Sequence, residues 1–285
     1  MKKFGLKKIY LCFIPIFILV IHMPFVFGVP NALGNISFRH SAISPASATI
    51  PANENSSAAT EAGLKVYDSL QLQSFGLGRQ VFEYAMKGFS QMRNTGALAN
   101  DAVISIVDFS KPSYRKRLYV IDLKNSRLLF NTYVAHGLQS GKEFASRFSN
   151  KLESNKSSLG FYETQDTYIG GNGYSLRLEG IERGINDNAG KRAIVMHGAQ
   201  YVDERLIHSQ GYIGRSLGCP AVPEELHRSI IDKIKGGSCL FIYSPDTRYL
   251  TRSKLLNDRF ATFAFNGRKV DSASSKTLLS KSGKS

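Results

Sequence analysis

The run Arg117-Leu118-Tyr119-Val120-Ile121-Asp122-Leu123-Lys124-Asn125-Ser126-Arg127-Leu128-Leu129-Phe130-Asn131-Thr132-Tyr133-Val134 decides the fold class. Its two ends, 117–122 and 128–134, are rich in β-branched and aromatic residues, which suit a pleated, half-buried surface. Lys124-Asn125-Ser126 between them is turn chemistry, so the run reads as a β-hairpin. Similar short runs occur at Val103–Val107, Tyr174–Leu178, Ala193–Met196 and Cys239–Tyr243. One helix is expected among them, from Pro223 to Lys235, with Leu226, Ile230, Ile231 and Ile234 on one face and Gly236-Gly237 ending it. Many short strands and few helices predict a mainly β body and exclude a doubly wound α/β sheet.

Outside this body the character changes. Leu64, Tyr67 and Leu70, then Val81, Phe82, Ala85, Met86, Phe89 and Met92, recur in steps of three and four up to Asn94-Thr95-Gly96. That spacing predicts an amphipathic helical segment over 63–101 that packs on the body. Residues 29–62 are rich in Ala, Ser, Asn and Pro without periodicity and read as a flexible linker. Lys2, Lys3, Lys7 and Lys8 precede an apolar run from Ile9 to Phe27. This start is a signal peptide cleaved after Gly28 or an N-terminal membrane anchor, and on either reading the body leaves the cytoplasm for the periplasm or cell envelope. Past 248 a basic extension runs to Ser285, and its Ser/Lys-rich end has no core-forming pattern.

The net charge of +15 favours an anionic polymer as partner. An export start and the absence of a nucleic-acid-binding motif point away from nucleic acid and toward the cell wall. Of three cysteines, Cys12 lies in the apolar start, leaving Cys219 and Cys239 in the body. No C-x-x-C spacing occurs, and no metal is expected. Cys239 reads as a buried strand residue; a Cys219–Cys239 disulfide is left open.

Chemistry concentrates at His197-Gly198 and at Gly214-Arg215-Ser216-Leu217-Gly218-Cys219-Pro220. A thiolate is the reactive form of cysteine, and a neighbouring imidazole can generate it by taking the thiol proton. His197 is expected at the end of a strand, where Gly198 lets the chain turn away. Cys219 is expected on a Gly-Cys-Pro corner directly before a helix, where backbone amides and the helix dipole would stabilise an oxyanion. His136-Gly137 also follows a strand and is a rival base, while His208 and His227 read as solvated.

These motifs, taken in order, resemble the murein L,D-transpeptidase catalytic domain family of YkuD type, whose signature is a histidine, a spacer, then Ser-x-Gly-Cys. Ser157-Ser158-Leu159-Gly160-Phe161-Tyr162 is similar to an upstream element of that family, with serines in place of Thr-Pro. Phe148-Ser149-Asn150, Tyr174–Leu178 and Gly184–Ala189 also resemble a diverged branch, so the likeness runs from about Ala102 to Tyr243 and the catalytic domain is placed at 102–248. The resemblance implies a β-sandwich-like domain without cofactor that acts on peptidoglycan stem peptides. Cys219 would attack the bond between the L-centre of diaminopimelate and the terminal D-alanine, releasing D-alanine and leaving a thioester. An amine acceptor then gives a cross-link, and water gives a carboxypeptidase; a non-catalytic wall-binding module is the remaining alternative. The match assigns His197 as base, Ser216 as a supporting residue, and Gly218 and Cys219 as the turn that supplies oxyanion amides. Two positions depart from the family pattern. Leu217 stands where many members have histidine, and Ala221 where they often have Arg or Asn, for which Arg215 is the candidate replacement.

Overall fold

A computed structural model describes residues 63–257. The expected leader, the linker and the end of the basic extension lie outside them. Among the described residues no helix is long and apolar enough to cross a membrane.

The hairpin forms as read. β2 (Leu118–Asp122) pairs antiparallel with β3 (Arg127–Thr132), and β2 pairs on its other side with β1 (Val103–Asp108). Beyond β1 the order continues through β8 (Cys239–Tyr243), β4 (Gly160–Gly170), β5 (Gly173–Gly180), β6 (Val195–Ala199) and β7 (Ala221–Pro223) as one mixed sheet. The β1–β8 and β6–β7 pairs are parallel. Every residue of β1 and β8 is buried, as befits central strands with both faces covered. Just past β3, Ala135 forms an isolated bridge to Ala221 of β7, so the two ends of the sheet meet and the architecture nearly closes. The mainly β expectation holds.

The helical segment belongs to this core. α1 (Arg79–Asn94) buries Val81, Phe82, Ala85, Met86, Phe89 and Met92, and each large side chain removed from water contributes about 2–3 kcal/mol. At Gly88 a Cβ would lie 2.0 Å from Phe161 Cζ, so only glycine lets the helix settle on that ring. Phe161 stacks in turn on Phe241 of β8 at 4.2 Å. The expected single helical run is divided: 63–69 is helical, turns follow, and α1 starts at Arg79, because Gly76 and Gly78 interrupt the pattern.

The other helices are short. α2 (Glu204–Gln210) begins at Asp203, whose carboxylate accepts from the Arg205 N–H. α3 (His227–Ile234) covers only the second half of the expected Pro223–Lys235 span, because Ala221–Pro223 is held as a strand. α4 (Thr247–Arg252) straddles the boundary expected at 248. Tyr249 and Leu256 join the core, and the buried Glu182 carboxylate accepts from Tyr249 Oη (3.1 Å), Ser253 Oγ and the Phe161 N–H (2.9 Å). The body therefore extends past its expected end.

Candidate active site

His197 is an internal strand residue rather than a strand end. It pairs with Ser175 of β5 on one side and Ala221 of β7 on the other. Gly198 continues the strand opposite Val222. Its glycine is required for a reason the sequence did not show: a Cβ there would lie 2.7 Å from His227 Cγ and 2.9 Å from Glu224 Oε2. The Gly198 carbonyl can only accept, so His197 Nδ1, 2.8 Å away, carries the proton. The Nε2 lone pair is thereby left free. Burial holds the His197 pKa below its ordinary 6.5, helped by the charge of His227 and opposed by the Gly198 carbonyl and Glu224. The imidazole is neutral at pH 7.

Cys219 is half-buried where the chain enters β7. Its Sγ lies 3.5 Å from the Val195 N–H and 3.7 Å from the Ala193 carbonyl, so β6 supports both the thiol and the histidine. Burial raises the thiol pKa above its ordinary 9.0, while the Val195 N–H and the positive charge of Arg192 act to lower it. The resting thiol is protonated. Thiol and imidazole are thus both neutral; among the described residues no hydrogen bond joins the two side chains, and β6 links them by carrying the histidine and supplying the thiol's two backbone contacts.

Ser216 staples the turn. Its Oγ donates to the Cys219 carbonyl at 2.6 Å and accepts the Gly218 N–H at 3.0 Å. Gly218 sits at φ +128°, a conformation side chains rarely adopt. The Gly218 amide is thus consumed inside the turn and is no oxyanion donor, contrary to the expectation; the Cys219 amide is the donor that remains. The helix-dipole expectation also fails, because the three residues of β7 and a three-residue turn separate the corner from α3.

Behind the turn lies a second layer. Ser157 Oγ donates to the Gly218 carbonyl at 3.3 Å and accepts the Gly137 N–H at 3.0 Å. The Ser216 N–H donates to the His136 carbonyl at 3.0 Å, and the Leu138 N–H to the Ser216 carbonyl at 2.7 Å. His136 itself is fully buried. Its Nδ1 accepts from Arg117 Nη2 at 2.8 Å, and burial with the Arg117 charge takes its pKa down to about 3.

Arg215 is occupied. Its Nη1 donates to the Gly141 carbonyl at 3.0 Å and the Leu138 carbonyl at 3.4 Å, tying the Cys219 turn to the 138–141 segment. The cation that acts on Cys219 is Arg192, which sequence reasoning missed. Its guanidinium donates to the carbonyls of Ser149 and Lys156 and to the hydroxyls of Ser154 and Ser158. Nη2 lies 3.1 Å from where a Gly218 Cβ would be. All these acceptors are neutral, so its charge is left to act on the thiol. Tyr201 was missed as well; burial, with the Cys219 charge, pushes its hydroxyl up to about 12. His208 is exposed on α2, whereas His227, expected to be exposed, is half-buried against Gly198. Cys239 is a fully buried free thiol beside Met92 Sδ (3.8 Å), and Cys219 is free too. Among the described residues, no three His, Cys, Asp or Glu side chains gather as a metal site.

Residues 73–243 match the family model of the L,D-transpeptidase catalytic domain. Among solved structures, the chain is similar to an L,D-transpeptidase from Stackebrandtia nassauensis, at 13% identity and a TM-score of 0.31, over 68% of this chain and 80% of that one. It is also similar to the helical cell shape determining protein Pgp2 from Campylobacter jejuni (16% identity, TM-score 0.34, 57% of this chain and 56% of that one). A third is an L,D-transpeptidase from Mycobacterium smegmatis (13% identity, TM-score 0.31, 50% and 59%). The chain covers about three-fifths of the length of the first solved structures it matches. A comparison with curated proteins found no match.

Proposed function

The chain belongs to the L,D-transpeptidase catalytic domain family, and on that premise we propose that it is an exported cysteine acyltransferase acting on peptidoglycan stem peptides. Cys219 is the nucleophile and His197 its base. The observation that carries this reading is the His197 tautomer: with Nδ1–H spent on the Gly198 carbonyl, Nε2 is free to accept a proton. In the first step His197 Nε2 takes the thiol proton as Sγ attacks the carbonyl carbon between the diaminopimelate L-centre and D-alanine. The carbonyl oxygen becomes an oxyanion, stabilised by the Cys219 amide. The oxyanion collapses, the C–N bond breaks, and the imidazolium returns its proton to the D-alanine amine. A thioester remains on Cys219. An acceptor amine, losing its proton to His197, then attacks the thioester and restores the thiol.

The basic start and apolar run support export to the periplasm or cell envelope, and the surplus positive charge suits an anionic wall polymer. Membrane association through that N-terminal segment belongs to the same proposal. Purified protein incubated with a disaccharide-tetrapeptide tests the reaction. Dimers lacking one D-alanine mean transpeptidation; monomeric tripeptide alone means hydrolysis. Product formation that survives Cys219→Ala sinks the assignment.

A further inference from the structure

A cavity of about 620 Å³ is lined among others by Asp166, Tyr168, Arg177, Glu179, Ala193 and Val195; it adjoins the backbone that contacts the thiol, with neither Cys219 nor His197 in its wall. That volume lies in the range of small-ligand clefts. Its near wall is the backbone that holds the nucleophile, since the Ala193 carbonyl and Val195 N–H both face Cys219 Sγ. Its far wall is β5. Arg177 pairs with Val195 across the β5–β6 ladder, so it stands on the same sheet face as Val195 and His197. Two strand spacings, roughly 10 Å, separate the Arg177 and Cys219 backbones.

The cavity carries both signs of charge. Arg177 and Glu179 share the outward face of β5, because Leu176 and Leu178 turn into the core. The Arg177 guanidinium lies 4.3 Å over the Tyr168 ring, which orients it at little cost. Asp166 is delivered by an irregularity in the β4–β5 ladder between Thr164 and Thr167. Such a break re-aims a side chain that regular pairing would direct elsewhere. Among the described residues Arg177, Asp166 and Glu179 form no ion pair with one another or with any other group. A cation and two carboxylates around one cavity, none with an ion-pair partner among the described residues, fit a ligand that presents an anion and a cation on adjacent atoms.

We propose that this cavity is the subsite for the zwitterionic end of the donor side chain, Arg177 taking its carboxylate and Asp166 and Glu179 its ammonium group. The inference rests on the stem-peptide reading above and adds to it where the diaminopimelate distal centre binds. The side chain would leave the acyl carbon at Cys219, pass over Val195 and end against Arg177. A lysine at the same stem position keeps the ammonium group and lacks the carboxylate, so Arg177 is the residue that separates the two.

Binding to the full-length chain carrying Cys219→Ala tests this without any turnover. The probes are L-alanyl-γ-D-glutamyl-meso-diaminopimelate and the same tripeptide with L-lysine in the third position, measured by calorimetry. The diaminopimelyl peptide should bind at least about tenfold more tightly, as expected for a charge-assisted carboxylate contact. Arg177→Gln should abolish that preference by weakening only the diaminopimelyl peptide, and Arg177→Lys should restore part of it. Asp166→Asn with Glu179→Gln should weaken both peptides alike. Equal binding of the two peptides, no binding of either, or a preference that survives Arg177→Gln overturns the inference. A preference that depends on Arg177, in a protein that forms no thioester on Cys219, would uphold the subsite and overturn the proposed reaction. A thioester in a protein indifferent to Arg177→Gln would do the reverse.

Discussion

Two His-Gly pairs flank the Cys219 turn, and they have opposite chemistry. His136-Gly137 holds the turn by its backbone: the His136 carbonyl accepts the Ser216 N–H, and Gly137 bridges Ser216. His197-Gly198 lies in β6, the strand whose Val195 N–H faces the thiol. What separates them is the partner of Nδ1. A guanidinium can only donate, so Arg117 makes His136 Nδ1 an acceptor and puts its proton on Nε2, which is buried without a partner. A carbonyl can only accept, so Gly198 makes His197 Nδ1 a donor and leaves Nε2 open. One histidine is a structural acceptor for a buried cation, and the other keeps an open Nε2 lone pair, as the proposed base requires. The neighbour, rather than the residue type, sets the role.

The largest expected effect tests that contrast directly. His197→Ala should slow acylation of Cys219 by about 10³-fold, the scale of general base catalysis, followed as D-alanine release. His136→Ala should leave one of the two Arg117 Nη2 hydrogens without an acceptor, the other staying on the Val134 carbonyl, at a cost of about 2–3 kcal/mol. That corresponds to a fall in Tm of roughly 5–10 °C by calorimetry. If His136→Ala removes acylation in a protein whose Tm is unchanged, the two roles are exchanged.

Next is Arg192, whose positive charge acts to lower the thiol pKa. Arg192→Gln should raise the Cys219 pKa by about one unit, so that iodoacetamide alkylation at pH 8 slows about tenfold, with Arg192→Lys in between. An unchanged alkylation–pH curve in Arg192→Gln would show that the charge does not reach the thiol. Ser216→Ala comes third. It leaves the Gly218 N–H and the Cys219 carbonyl without a shared partner, a loss of about 1 kcal/mol in turn stability. Acylation should fall several-fold, and a rate equal to wild type would show that φ at Gly218 is held without the staple.

The smallest effect is in pH. An imidazole can accept a proton only when neutral, and burial keeps the His197 pKa below 6.5. At pH 6.5, where a free imidazole is half protonated, the acylation rate should still exceed half its maximum and fall only as pH drops through the lower value. A half-maximum at or above pH 6.5 would contradict the neutral-pair description.

Legibility differed between strands and site for physical reasons. Cys239–Tyr243 was readable to the residue because a fully buried strand is apolar throughout. β4 was not read as a strand, because Glu163, Gln165 and Asp166 interrupt its apolar pattern, two of them at the ladder irregularity. β7 has only three residues and ends in Pro223, too short for any periodicity. Cys219 and His197 stood out by residue type and order, and Ser216 through the family resemblance. Arg192 did not, since its contacts reach back over residues 149–158 and forward to Gly218, and no local pattern encodes them. Arg215 was chosen for its sequence distance to Cys219, yet its guanidinium is turned to the Leu138 and Gly141 carbonyls. Gly198 was read as a point of departure from the strand, whereas packing of His227 and Glu224 requires it within the strand.

The central claim is that His197 activates Cys219 to form a thioester with a stem peptide. Intact-protein mass spectrometry after mixing the full-length chain with a disaccharide-tetrapeptide measures it most directly. The account predicts an adduct equal to the donor less D-alanine, located on Cys219, released by hydroxylamine, absent in Cys219→Ala and strongly delayed in His197→Ala. An adduct that persists in Cys219→Ala, or D-alanine release that is unaffected by His197→Ala, would contradict it.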